Sequence, residues 1–279
     1  ILAALTGLLV LTGLTVFVDP YDYWGLPRVK GVNEFKPHVS RHQTIVKPKQ
    51  WARMDVSVLI MGNSRVQVGI DPEVLPQKAY NFGMPGLSLP TQVRLLKGLS
   101  DDELPEQIYL GLDFLDFRIS KAQWVDHKRP SHGKASFLDK MRKVTQITWS
   151  LDAVEDAFST LIEQSKRYPR TVHKNGLNPM IDFIGHVQDV GHFGLFSQKE
   201  GDYLKDLMVG PKQVFWNEMG NSSSWQALND VMTWARGEGI DLVLFTYPYH
   251  AQLLEAFDRA GLWPAFEMWK KEVLGPSKV

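Results

Sequence analysis

The sequence contains no cysteine, which excludes disulfides, thiolate-ligated zinc or iron–sulfur centres, and a thiol nucleophile. It has no excess of either charge: 31 lysines and arginines face 31 aspartates and glutamates, so the formal net charge is zero. A chain with no cationic face and no block of like charge is not a general nucleic-acid binder. Internal repeats and low-complexity tracts are also missing. What is present is apolar: 44% of the 279 residues are hydrophobic and 22% are charged. That is enough to bury a sizeable core, and it excludes intrinsic disorder for most of the chain. The chain opens on Ile1 rather than methionine, so we expect further residues upstream.

Residues 1–18 carry no charged side chain, and as a helix they extend about 27 Å, close to the hydrocarbon thickness of a bilayer. No small-x-small cleavage site follows. Asp19, Pro20, Tyr21, Asp22, Tyr23 and Trp24 come next, acids and interfacial aromatics, and the first cations are Arg28 and Lys30. A transmembrane anchor with the following flank outside the cytoplasm fits these features; the apolar core of a signal peptide and a buried helix are the alternatives. Residues 19–50 are rich in proline, aromatic and basic residues without periodicity, as in an extended connector.

From residue 51 the pattern changes. DVSVLIMG, AYNFGMPG, QIYLGLDFLDF and IDLVLFTYPYH are apolar runs of strand length, the pattern of buried parallel strands. LPTQVRLLKGL between them has apolar residues at helical spacing, with Pro90 suited to a first turn. SSSWQALNDVMTWARGEG reads as a serine-capped helix, and AQLLEAFDRAGLWPAFEMWKKEV as one or two amphipathic helices. Strands alternating with helices predict an α/β domain over 51–279, with helical layers around a mostly parallel sheet. Residues 118–220 interrupt the alternation, carry five of the eight histidines, and read as an insertion with a helix around ITWSLDAVEDAFSTLIEQSKR. The visible sheet stops one unit short of the α/β pattern at Val279, so we expect the domain to continue beyond it.

The densest chemistry lies in VLIMGNSRVQVGIDP. A buried strand runs into Gly62, Asn63, Ser64 and Arg65, which carries Ser64 to the carboxyl edge of the sheet, where open α/β folds bind ligands. Ser64 serves there either as a nucleophile or as a helix cap. YNFGMPGLS places Asn81, Gly83 and Gly86 at the next strand end, facing the first loop across the same edge.

Together these two segments resemble the SGNH (GDSL-type) hydrolases over roughly residues 52–117, with weaker agreement near 240–270. GNSR stands where the family has GDS, and NFGMPG matches its Asn-x-Gly-x-x-Gly block. The resemblance implies a flavodoxin-like three-layer α/β/α sheet, Ser64 as nucleophile, and oxyanion donors at the Gly86 N–H and at the N–H of Ser64 or Arg65. The third block departs from the family: Asp113 stands where an asparagine donor is usual, and an ionised aspartate cannot donate a hydrogen bond. Asp113 is therefore either protonated, orienting another residue, or binding sugar hydroxyls; Asn81 is a further substrate or orienting candidate.

The base has three candidates. Asp189 and His192 have the family's Asp-x-x-His spacing but precede the last strand. His250 ends TYPYH on the same rim as Ser64 but lacks an aspartate three residues earlier. The third is a final strand and Asp-x-x-His beyond Val279. His173, His186 and His192 have no helical ligand spacing, so no metal is expected, and acyl transfer through serine needs no cofactor. A membrane helix, an aromatic connector and an early Gly-x-Ser block are similar to membrane-anchored SGNH-like acyltransferases of bacterial envelopes. That similarity implies an esterase or O-acyltransferase on the extracytoplasmic face of the inner membrane. Its partners would be the membrane, an envelope carbohydrate or acyl ester, and a membrane acyl-donor protein. The competing reading is a non-catalytic envelope protein that binds glycan or scaffolds an export or modification complex.

Overall fold

The computed structural model describes residues 2–117, 137–209 and 222–275. Parts of the expected insertion, 118–136 and 210–221, lie outside the described residues. So do residues 276–279, and with them Val279 and the continuation expected after it.

All four apolar runs form strands: β1 (Val58–Met61), β2 (Ala79–Asn81), β3 (Gln107–Leu112) and β4 (Asp241–Thr246). They make one parallel sheet in the order β2-β1-β3-β4. The register pairs Val58 with both Ala79 and Gln107, and Gln107 with Asp241, so the four strands start level. Their carboxyl ends therefore open onto one rim, where residues 62–64, 82–86, 113 and 247–250 follow.

Side chains alternate across the sheet with the two-residue period of a strand. Leu59, Met61, Ile108, Leu110 and Leu112 face the larger core, and Ile60, Tyr109 and Phe245 face a smaller cluster with Val66 and Tyr247. The larger core is covered by α4 (Leu89–Leu96), α8 (Ser223–Glu238), α9 (Ala251–Arg259) and α10 (Trp263–Leu274). Local signals set these helices as the sequence suggests. Pro90 sits in the first turn of α4, the Ser222 hydroxyl accepts from the Trp225 N–H, and Gly239 ends α8 in the left-handed conformation. The opposite face carries α3 (Ser64–Gly69), whose Val66 belongs to the smaller cluster.

Residues 19–50 are not an extended connector. They contain a 3₁₀ turn at Val39–His42 and α2 (Gln43–Trp51), and Tyr21, Tyr23, Val39 and Val46 join Ile147, Ala153 and Val172 in a core of their own. That core is completed by α5 (Phe137–Thr148) and α6 (Leu151–Glu163). The order here comes from side chains bonding to backbone, which leaves no periodic trace. The buried Lys36 amine donates to the carbonyls of Val18 (3.0 Å) and Asp19 (2.6 Å), and the Asp19 carboxylate accepts from the N–H groups of Tyr23, Trp24 and Gly25.

The first element, α1 (Leu2–Val18), packs on α6. It exposes Leu2, Leu5, Leu8, Leu9, Val10 and Leu11 but buries Thr15 and Val18. Among the described residues no helix is long and apolar enough to cross a membrane. The two halves of α1 should respond differently to truncation. Removal of residues 1–11 should change the unfolding free energy by less than about 0.5 kcal/mol. Removal of 1–18 should cost about 3 kcal/mol, because Val18 burial, the Thr15–Thr148 hydrogen bond and one acceptor of Lys36 are lost. Urea unfolding of the two truncations checks this, and equal stability would contradict it.

Candidate active site at the carboxyl edge of the sheet

After β1 the chain turns at Gly62 and Asn63 into α3. A Cβ on Gly62 would lie 2.2 Å from a methyl carbon of Val66, so only glycine lets the helix fold back so closely on its strand. Asn63 caps α3: its Oδ1 accepts from the Arg65 N–H at 3.0 Å. Ser64 is thereby the first helical residue. It is exposed, and its hydroxyl has no hydrogen-bond partner among the described residues.

Asp113, just beyond β3, is buried and gathers the rim. Its Oδ2 accepts from Asn63 Nδ2 (2.7 Å) and Arg65 Nη1 (2.5 Å), and its Oδ1 accepts from the Leu115 N–H (3.0 Å) and the Tyr249 hydroxyl (2.8 Å). The Tyr249 hydroxyl in turn accepts from the Phe114 N–H at 2.7 Å. The Arg65 guanidinium lies 4.8 Å from the centre of the Tyr249 ring and 5.8 Å from that of Tyr247, within cation–π range. Burial pulls the Arg65 guanidinium down, but the Asp113 charge, with Tyr203, Tyr249 and Tyr247, outweighs it and leaves the group above its ordinary value. Burial, reinforced by Asp113, pushes the Tyr247 and Tyr249 phenols well above theirs, so both stay protonated. Every contact to Asp113 is a donor, so of its three expected roles the geometry supports orienting its neighbours.

The second loop is bound to the first. The Phe82 N–H donates to the Ile60 carbonyl (2.7 Å) and the Met84 N–H to that of Gly62 (3.0 Å), which extends the β1–β2 pairing to the turn beneath Ser64. Asn81 is fully buried, and its contacts are with the protein's own backbone. Its Nδ2 donates to the carbonyls of Val66 (2.8 Å) and Ile70 (2.7 Å) at the end of α3, and its Oδ1 accepts from the Gly83 N–H at 2.9 Å. A Cβ on Gly83 would meet the Gln67 nitrogen at 2.6 Å. Gly86 is exposed in the left-handed conformation (φ 66°).

Two of the expected roles change. The Arg65 N–H, expected as an oxyanion donor, is taken up by the Asn63 cap. Among the described residues, the N–H groups of Ser64 and Gly86 have no partner. His250 is not brought to Ser64. It caps α9, its Nδ1 accepting from the Gln252 N–H at 3.3 Å, and its ring stacks on Phe196 with centroids 4.6 Å apart.

Asp189 and His192 flank Gly191, whose φ of 72° breaks α7 (Asp182–Val209), and among the described residues they make no hydrogen bond or ion pair with the rim. The third expected source of a base, an Asp-x-x-His beyond Val279, lies outside the described residues. No group of three metal-ligating side chains occurs among the described residues. A polar cavity of about 580 Å³, lined in part by Arg41, Glu163, Lys166, Arg170, Asp182 and His186, lies away from this site and contains none of its residues. Sequence reasoning missed Tyr249 and Lys47. Tyr249 was legible as the strand-end tyrosine beside His250; Lys47, whose partners are backbone carbonyls, was not.

No family model, curated protein or solved structure matches this chain.

Asp113→Ala strands four donors, from Asn63, Arg65, Leu115 and Tyr249, and should cost about 3 kcal/mol or more, the usual result of removing one partner of a buried pair. Asp113→Asn keeps an acceptor for Leu115 and Tyr249 and should cost clearly less. Chemical denaturation of both variants checks the order, and equal losses would show that the retained acceptor contributes nothing and that the carboxylate charge carries the stabilisation.

Proposed function

We propose that this chain is an SGNH-like esterase or O-acyltransferase that moves an acyl group through Ser64 to or from an envelope glycopolymer. The observation that carries this reading is Ser64 itself. It is exposed at the carboxyl end of a central parallel strand, first in a helix capped by its own neighbour, and bordered by a glycine-bearing second loop. The strand order and helical cover support a flavodoxin-like three-layer domain of SGNH type.

In this reading the Ser64 Oγ attacks an ester carbonyl. The N–H groups of Ser64 and Gly86 hold the resulting oxyanion, whose collapse breaks the ester bond, expels the donor alcohol with the serine proton and leaves acyl-Ser64. A sugar hydroxyl or water then attacks, takes the acyl group and returns its proton to the Ser64 oxygen. The network of buried Asp113 with half-buried Arg65 and Tyr249 keeps the start of α3 in place while the charge develops. The chemistry calls for no metal or organic cofactor. The general base lies outside the contacts of Ser64 among the described residues, and an Asp-x-x-His beyond Val279 is the source this reading favours. The charge-free α1 supports attachment to the inner membrane, with the domain on its extracytoplasmic face and a membrane acyl-donor protein as partner. Its 17 residues extend about 26 Å.

The capping role of His250 favours a second reading, a non-catalytic module that binds glycan or scaffolds a modification complex. An aryl acetate separates the two. The enzyme reading expects an acetyl group on Ser64 by mass spectrometry. The adduct should be abolished by Ser64→Ala, with a change in stability below about 0.5 kcal/mol. A protein that never acylates, yet binds envelope glycan equally with serine or alanine at position 64, leaves only the second reading.

A further inference from the structure

We propose that Lys47, on α2, is a positioning residue for the Ser64 site: its side-chain nitrogen fixes the second loop, and through Asn81 the helix that begins at Ser64. This rests on the reading of Ser64 as the acyl-accepting group. The Lys47 side chain is buried, and its Nζ donates to the carbonyls of Asn81 (2.7 Å), Gly83 (2.7 Å) and Gly176 (3.3 Å). Three carbonyl oxygens from two loops thus surround the one nitrogen. The same Asn81 holds the Val66 and Ile70 carbonyls of α3 through its amide, so the chain of contacts runs from Lys47 to Asn81 to α3.

The third acceptor belongs to the 173–178 loop, which also seals the outer edge of β2. The Asn81 N–H donates to the Asn175 carbonyl (2.8 Å) and the Asn178 N–H to that of Gln67 (3.0 Å). Gly176 presses so close that a Cβ there would lie 2.0 Å from the Asn81 carbonyl oxygen. Lys47 thus stands where the N-terminal segment, the insertion and the site loop meet.

Lys47 makes no ion pair among the described residues. The Tyr80 ring lies 5.6 Å from its Nζ, and the charges of Asp22, Arg53 and Arg28 act on the Tyr80 hydroxyl; exposed His173 and Lys174 precede Gly176 in its loop. Burial alone pulls Lys47 down to about 7 from an ordinary 10.5. Opening the loop brings Nζ to water and returns it toward its ordinary value, so the open form binds more protons between these two limits. Closure of the loop must then strengthen as pH rises above about 7, by linkage.

Hydrogen exchange of the whole protein, followed by mass spectrometry over residues 81–87, tests the proposal. At pH 8, Lys47→Met should exchange that segment at least about tenfold faster than wild type while β1 and β3 change less than about twofold. In wild type, the protection of 81–87, corrected for intrinsic exchange, should rise between pH 6 and 8.5; in Lys47→Met it should be flat. A merely space-filling lysine would not produce that pH response. If Lys47→Met does not fold, the wild-type series decides alone. Protection that is flat with pH in wild type, or unchanged in Lys47→Met, overturns the proposal. Acylation of Ser64 by an aryl acetate is read in parallel. Absence of acylation with a pH-responsive loop sinks the esterase reading and leaves Lys47 as the holder of the loop. Acylation with an unresponsive loop does the reverse.

Discussion

Four donors converge on the carboxylate of Asp113, and the rim of the sheet takes its shape from that convergence. They come from three separate segments: the β1–α3 turn, the turn after β3, and the residues after β4. A buried carboxylate is costly unless its charge is neutralised and its lone pairs are filled. Arg65 supplies the charge; Asn63, Leu115 and Tyr249 supply the remaining bonds. None of these groups can leave without exposing the others to the same cost, so the rim behaves as one piece. Asp156 does similar work in the second core. It accepts from the Tyr21 hydroxyl at 2.7 Å and pairs with Arg41 at 3.0 Å, tying α6 to the segment that the sequence presents as a linker.

Much of the sheet was readable in advance because a strand buried on both faces has no need of polar residues. VLIM and QIYLGL are such runs, and they became β1 and β3. The placement of Ser64 followed from the same run, since a buried strand that stops at glycine must deliver its next residues to the edge. Amphipathic spacing exposed α4 and α9 for a similar reason, and serine capping exposed α8.

What could not be read depended on partners without a sequence signature. Lys36 and Lys47 look like ordinary surface lysines, because the carbonyls that receive them belong to every residue type. His250 looks the same as a base or as a cap; the distinction lies in which nitrogen accepts a hydrogen bond. Asn81 carries the family-like pattern, but its amide turns inward onto α3 rather than outward to substrate. The irregular composition of 19–50 concealed a folded segment, since its aromatics pack against α5 and α6 rather than against one another at a fixed interval.

The sequence distances spanned by these contacts have a consequence for the order of assembly. β1, β2 and β3 pair within residues 58–112, and α3 is capped by the residue before it. The bonds that finish the site reach much farther: Lys47 to Gly176 spans 129 residues and Tyr249 to Asp113 spans 136. Contacts of such separation require most of the chain to be already in place, and they form slowly. During synthesis the central strands and the Ser64 turn are therefore built long before the residues that lock them have emerged. A newly made chain passes through a stage that has its serine turn but not the bonds that fix the rim around it.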